Sequence, residues 1–485
     1  MRTALVARGG VARSWHGDLA RRLRSAGHEV VSCRVSGEDD LPPALRNLIW
    51  FERSLFGRTL RALEPVSEAS QPGALPAEPE AELVIALDEV DLPGQTPVLR
   101  ASFDGRFGWS ALYEALLAER SPHIAIVRDP DGVVLAEGVA ALPQPALFCT
   151  SLDATLARLA NLFAAAAEPG TAPSARRAAR PKATPAPPVA FATAHLARAV
   201  GRKLRALVEH PIHWRIGWRR LDGAPDLFES LSWPATGYTW FQPGPGVYVA
   251  DPFVVERDGR THVFCEVFHH ADPRGRIGVF TLDRDGVPGP LRIVLERPYH
   301  LSYPFVFERD GQVWMIPETY ENRSVELYRA VRFPDVWEHE ADLCTGVELS
   351  DVTIAEHDGR FWMFAAETAG GPTTWDALSL FMADHWRGPW RAHPANPVLI
   401  DAQAGRPAGQ LVRRGKTLLR PAQDSRTGYG SGLSICRVDR LDPEGYAQTT
   451  LSTLRPLGRR DTGAHTLNVG SGFELVDHCS PMLRW

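Results

Sequence analysis

The sequence predicts two domains of different class, an N-terminal α/β (Rossmann-like) domain followed by an all-β five-bladed propeller. Three observations carry this. Strand and helix patterns alternate over residues 1–167, a stretch of Pro, Ala and Arg follows at 168–190, and one hairpin motif then recurs from Asp251 to about Gly430. At 485 residues, with 44% hydrophobic and 23% charged side chains, the chain can bury more than one core. A formal net charge of −5 gives no reason to expect a nucleic-acid partner.

The first segment opens on an apolar strand at 3–7, with helical spacing through Leu19, Leu23 and Ala26 and a stop at Gly27. Residues 29–35 and 83–87 read as strands, 109–120 as a helix, Asp129-Pro-Asp-Gly132 as a hairpin turn and 152–167 as a closing helix. Such alternation favours a parallel sheet. A Gly9-Gly10 pair lacks the spacing of a dinucleotide fingerprint, so no cofactor is predicted. The N-terminus carries no secretory pattern and no apolar run is long enough to span a bilayer. Six dispersed cysteines without Cys-x-x-Cys spacing suit a reduced compartment. The expectation is a cytoplasmic protein, with a peripheral membrane contact left open.

That contact rests on residues 168–210. Six prolines between 169 and 190 make a linker. Residues 169–208 contain eight basic and no acidic side chains. Over 191–208, Leu196, Val200, Leu204, Leu207 and Val208 share one helical face, with Arg198, Arg202 and Arg205 opposite. The stripe either docks on the propeller or lies on an anionic membrane.

The propeller, 211–485, follows from the repeat. Asp251-Pro-Phe-Val-Val-Glu-Arg-Asp-Gly259 returns as Tyr303-Pro-Phe-Val-Phe-Glu-Arg-Asp-Gly311 and as Asp351-Val-Thr-Ile-Ala-Glu-His-Asp-Gly359, with a fainter copy around Gly415. The turn glycines are 52, 48 and 56 residues apart, the length of a propeller blade. A degenerate fifth copy spans 466–477. Inner strands of a propeller converge on one axis, so Asp251, Tyr303 and Asp351 are expected at one mouth, with Glu266, Glu318 and Glu367 ending the paired strands. Trp314 and Trp362 hold equivalent hairpin positions and read as blade core. Tyr303 is assigned to sugar stacking or to the core. Adjacent His269 and His270 point to opposite strand faces and do not read as one metal site.

The Ala250-Asp-Pro-Phe opening, Arg406-Pro-Ala-Gly-Gln410, Arg420-Pro-Ala-Gln-Asp424, Gly428-Tyr-Gly430 and His465-Thr-Leu-Asn468 together resemble the N-terminal domain of plant glucosamine inositolphosphorylceramide transferases. That domain is similar to the five-bladed propellers of glycoside hydrolase family 43. The resemblance implies Asp251 as general base and Asp351 as the aspartate that tunes pKa. It also implies His465 as an axial histidine near a central ion or water. A general acid is expected in the fourth blade, where this chain reads Arg406-Pro-Ala-Gly-Gln410; Glu318 or Glu367 is the substitute. Glu266, Tyr303, Glu367, Arg406, Gln410, Gln423, Asp424 and His465 are the expected substrate contacts. Arginine there suits an anionic or nucleotide-linked sugar. No metal ligand set is predicted beyond the open question of an axial divalent ion.

More weakly, the first segment resembles a formyltransferase domain, through its strand order and the 98–106 region. Ser102-Phe-Asp104 stands where that chemistry needs Asn-x-His, which implies a noncatalytic domain. The leading expectation is a carbohydrate-active propeller that transforms a glycan or sugar donor in polysaccharide or glycolipid synthesis. The rivals are a noncatalytic glycan-binding module on a scaffold domain and formyl transfer to an amino sugar.

Overall fold

The computed structural model describes residues 1–8, 12–35, 41–65, 81–90, 96–171, 185–235 and 237–484. Gly9-Gly10 and most of the proline-rich linker lie outside the described residues. The chain divides into two compact units. One comprises Met1–Val200 with Ala369–Pro372 and Arg426–Gly428; the other comprises Gly201–Thr368, Thr373–Ser425 and Tyr429–Trp485.

In the first unit, the strands β1 (Arg2–Arg8), β2 (Glu29–Val35), β3 (Leu83–Ala86) and β4 (Val98–Phe103) pair in parallel in the order β2-β1-β3-β4. β5 (Arg106–Phe107) turns back on β4, and β6 (His123–Asp129) and β7 (Val133–Val139) extend the sheet antiparallel. The helices are α1 (Ser14–Ser25), α2 (Pro43–Phe56), α3 (Trp109–Leu117), α4 (Phe148–Ala167) and α5 (Pro188–Ala206). The sequence reading passed over α2, whose buried residues are only Leu45, Leu48 and Glu52, too thin a stripe to stand out by period. The expected domain edge at 167 and helix start at 191 shift to Val200 and Pro188, because α5 joins both units. Ser102 donates to the Ala125 carbonyl, while Asp104 is held by Arg120 and the His123 N–H. In the place compared with Asn-x-His, the side chains therefore fasten a turn.

The second unit contains five sheets built on one plan. Four strands run in sequence at 247–295, 302–345 and 412–454, and the sheet at 349–400 adds a short fifth. The remaining sheet combines both ends of the domain: Leu467–Gly470 and Phe473–Cys479 pair with Trp214–Arg220 and Thr239–Phe241. This is a five-bladed propeller whose last blade is closed by strands from opposite ends of the domain. Blade faces pack through apolar side chains such as Phe253, Trp314, Met363 and Leu327. Trp314 and Trp362, each 2% exposed, sit in this packing as expected.

Candidate functional site

The site begins with a repeated break in strand register. Pairing of the two inner strands jumps from Ala250 to Phe253 in the first blade, from Ser302 to Phe305 in the second and from Ser350 to Thr353 in the third. The skipped positions start with Asp251, Tyr303 and Asp351, at φ +53°, +42° and +54°. Three non-glycine residues in the left-handed region at equivalent positions represent stored backbone strain, the kind that concentrates at functional sites. Each break frees an N–H from the ladder, and carboxylates collect them. Asp251 donates to Asp477 Oδ2 at 3.0 Å, Tyr303 to Asp251 Oδ2 at 3.1 Å and Asp351 to Glu318 Oε2 at 3.2 Å. Neighbouring blades are thereby stitched together by charge-assisted bonds.

The fourth blade contributes Arg406. Its Nε lies 2.6 Å from Asp351 Oδ2, one terminal nitrogen 3.2 Å from Asp351 Oδ1 and 3.5 Å from Glu318, and the other donates to Thr374. Gln423 Nε2 donates to the same Asp351 oxygen at 2.8 Å and to the Pro407 carbonyl. The fifth blade contributes His465, stacked on Trp214 at 3.8 Å, with Nδ1 2.7 Å from Asp477 and 3.7 Å from Asp251. Thr466 Oγ1 donates to Asp251 Oδ1. Tyr429 lies over the Arg406 guanidinium at 5.2 Å, edge-on to His465 and beside Trp375.

Electrostatics follow from burial. Asp351 is pushed up to about 7 by desolvation, against the pull of Arg406 and with a push from Glu318. Asp251 is raised by desolvation, opposed by His465 and reinforced by Asp477 and Asp351. Glu266 is raised well above the ordinary range, by desolvation first and then by Asp251, Glu318, Asp477 and Asp351. Its nearest ionic partner is His300 Nε2 at 3.3 Å, an imidazole that burial pulls towards its neutral form. His465 is raised, because Asp477 and Asp251 outweigh the burial that would lower it. Burial would likewise raise Asp477, but His465 and backbone N–H donors hold it low.

Asp251, His465 and Asp477 each bring one ligand atom within 4.8 Å of the others, so an axial ion is a fair question. The fit is poor. Both Asp251 oxygens accept from Tyr303 N–H and Thr466 Oγ1, and both Asp477 oxygens accept from Asp251, His465 and Thr466 N–H groups. The His465 Nδ1 already faces both carboxylates.

Several expected contacts fall elsewhere. Tyr303 is 0% exposed, packs edge-on to Phe253, and spends its hydroxyl on Thr353 and the Gly409 N–H; it is core and offers no ring to a sugar. Glu367 pairs opposite Leu349, whereas Glu266 and Glu318 pair opposite Ala250 and Ser302. The third-blade equivalent is Ala366, opposite Ser350. A one-residue offset turns a strand side chain to the other face, and Glu367 accepts instead from Ser379 in its own blade. Gln410 is exposed and gives its N–H to Asn468. Asp424 closes its strand opposite Gly432. Arg406 is consumed by carboxylates, so the expectation of a free arginine for an anionic sugar is corrected. Glu318 spends Oε2 on Asp351 N–H and Arg406. Asp477, Thr466, His300 and Tyr429 were not anticipated in these roles; Thr466 and Asp477 carried a signal as the ends of the degenerate fifth copy and Tyr429 as part of Gly428-Tyr-Gly430, whereas His300 carried none.

Fold and site define the second unit as a five-bladed propeller in which carboxylates from neighbouring blades are buried together. Residues 240–461 match the family model described as "Glucosamine inositolphosphorylceramide transferase 1, N-terminal", the family that the motifs resemble. Glucosamine inositolphosphorylceramide transferase 1 of Arabidopsis thaliana is 29% identical over 248 residues, 49% of this chain and 31% of the relative. Its counterpart in Oryza sativa subsp. japonica is 32% identical over 212 residues, 43% and 28% respectively. The chain thus spans under a third of these relatives. Among solved structures, an exo-1,5-α-L-arabinanase from a bovine ruminal metagenomic library is 18% identical at TM-score 0.34, covering 50% of this chain and 99% of that one. A Cellvibrio cellulosa α-L-arabinanase complexed with arabinohexaose is 15% identical at TM-score 0.33, covering 48% and 90%. The five-blade assignment stands on sheet topology.

Proposed function

We propose that the propeller binds a hydroxyl-rich sugar in the axial cup and transforms it, by glycosyl transfer or related sugar processing, in the synthesis of a polysaccharide or glycolipid. One observation carries this reading: Asp251, Glu266, Glu318 and Asp351, from three blades, act electrostatically on one another in a single buried cup. Chemistry at an anomeric centre needs one carboxylate to activate a nucleophile and one protonated carboxyl to donate to the leaving oxygen. Asp251, beside the His465 imidazole, suits the first role. Glu266, whose protonated form burial and like charges favour, suits the second. Tyr429 and Trp375 supply aromatic surface beside the Arg406–Asp351 pair. The names of the matched relatives, transferases acting on a glycolipid, agree with a carbohydrate substrate.

A second reading, a noncatalytic glycan-binding module, is favoured by Arg406, which replaces the expected acid and neutralises Asp351. Saturation-transfer NMR of the full chain against a panel of oligosaccharides and nucleotide sugars, with mass spectrometry of products, separates the two. Transformation predicts product from the wild type, none from Glu266→Gln with ligand still bound, and weakened binding in Asp251→Asn. A bound sugar that no incubation converts would overturn the catalytic reading in favour of the module.

A further inference from the structure

Large apolar side chains exposed at the surface are concentrated on one short stretch. Val189, Leu196, Val200, Leu204, Leu207, Val208 and Ile212 are 76%, 42%, 51%, 61%, 71%, 40% and 56% exposed. Four of them, Val189, Leu196, Val200 and Leu204, fall on one side of α5 at about 100° per residue, and Leu207 follows directly after its end. The opposite side is already engaged: Phe191 and His195 are 2% and 4% exposed, His195 meets Phe56 edge-on at 4.6 Å, and Arg198 pairs with Glu119. A helix fixed by one face and apolar on the other presents a surface of the kind that marks an interaction site. Among the described residues these side chains stay exposed.

Charge selects the occupant. α5 bears Arg198, Arg202, Lys203 and Arg205, all exposed, and no acidic residue. Arg202, Lys203 and Arg205 have no ion-pair partner among the described residues. A second copy laid on the stripe would bring two purely basic helices together, which like charges oppose. An anionic bilayer accepts aliphatic side chains below the headgroups and the cations among them. No helix among the described residues is long and apolar enough to cross a membrane, so α5 would lie in the interface plane. We propose that α5 is a membrane-docking helix for anionic lipid surfaces, its Val189–Leu207 stripe inserted and its basic residues at headgroup level.

The test is sedimentation of the full chain with vesicles of phosphatidylcholine alone, or with about one-third phosphatidylglycerol. Wild type is expected to partition about tenfold better onto the anionic vesicles, and high salt should lower this severalfold. Leu196→Asp with Leu204→Asp, both at exposed positions, should lower binding at least about tenfold with the circular dichroism spectrum unchanged. Arg202→Glu with Lys203→Glu should reduce anionic binding to the level of phosphatidylcholine. Absence of vesicle binding, equal binding by the Leu variant, or a dimer by light scattering that this variant dissolves would overturn the proposal. Asp251→Asn should bind vesicles as wild type does, so this inference and the sugar-site reading fail independently.

Discussion

At the scale of single residues, the cup is held by one ion pair whose removal should be costly. Arg406 is 6% exposed and faces Asp351 and Glu318. Arg406→Met leaves two carboxylates without their cation, and uncompensated buried charge of this kind costs about 3–5 kcal/mol. The urea midpoint should fall accordingly, while Asp384→Asn, at an exposed pair, should leave it within error. The same burial sets a pH dependence. Asp351 moves from an ordinary 3.8 to about 7, and Asp251 and Glu266 shift the same way. Between those limits the folded state holds more protons than the unfolded one, so stability falls as pH rises. His465, raised when folded, adds stability that is full below its ordinary 6.5 and is also lost as pH rises. Asp477, held low, acts oppositely and loses its contribution only as pH falls below its ordinary 3.8. Histidines that burial holds towards their neutral form, among them His28, His213, His262 and His300, act oppositely over the lower part of that range, so the test is a difference between variants: from pH 5 to pH 8 the denaturant midpoint of the wild type should fall more, or rise less, than that of Asp351→Asn. An identical pH profile in the two proteins would contradict the burial assignment.

Elements decide which residues reach the axis. The motif copies made Asp251, Glu266, Glu318 and Asp351 legible as a converging set, because a repeat with one turn glycine per hairpin fixes equivalent positions. Glu367 misled because it follows the apolar run of its hairpin, as the other two glutamates follow theirs, yet it stands eight residues after its turn glycine and they stand seven. Counting from the turn shows the reversal of face; counting from the end of the apolar run hides it. The strained backbone was not legible, since φ above zero at Asp251, Tyr303 and Asp351 arises from blade closure and has no glycine to announce it. Where a glycine does appear it is informative. Gly409 has φ +135°, and a Cβ there would lie 2.1 Å from the Leu467 carbonyl oxygen across the seam between the fourth and fifth blades. Gly409→Ala joins a forbidden conformation to a backbone clash and should cost about 3 kcal/mol or more. The expected readout is a lowered melting temperature, whereas Gly359→Ala, with open space around its Cβ, should carry only the milder cost of its positive φ.

At the scale of the whole molecule, the period of the repeat was enough to give the propeller and its blade number, because each hairpin buries only one face and needs neighbours to cover the other. How the ring closes was half legible: the faint fifth copy was visible, but its pairing with the strand at Trp214–Arg220 joins positions over 250 residues apart, which no local pattern encodes. That pairing runs from Phe473↔Arg220 to Cys479↔Trp214, and the closing strands also deliver Asp477 and His465 to the cup. Removing residues 467–485 therefore takes away the inner strands of the fifth blade together with the acceptor for the Asp251 N–H. If the ring is one cooperative unit, this truncation should abolish the propeller's denaturant transition rather than lower its midpoint by a blade's share. Addition of the missing peptide in trans should restore a transition only in so far as it pairs with Trp214–Arg220. The point substitution Asp477→Asn keeps the strands but weakens the acceptor, so it should shift the midpoint and preserve the steepness. Equal steepness in truncated and full-length chains, followed by tryptophan fluorescence in urea, would show that four blades fold without closure and that the cup does not depend on it.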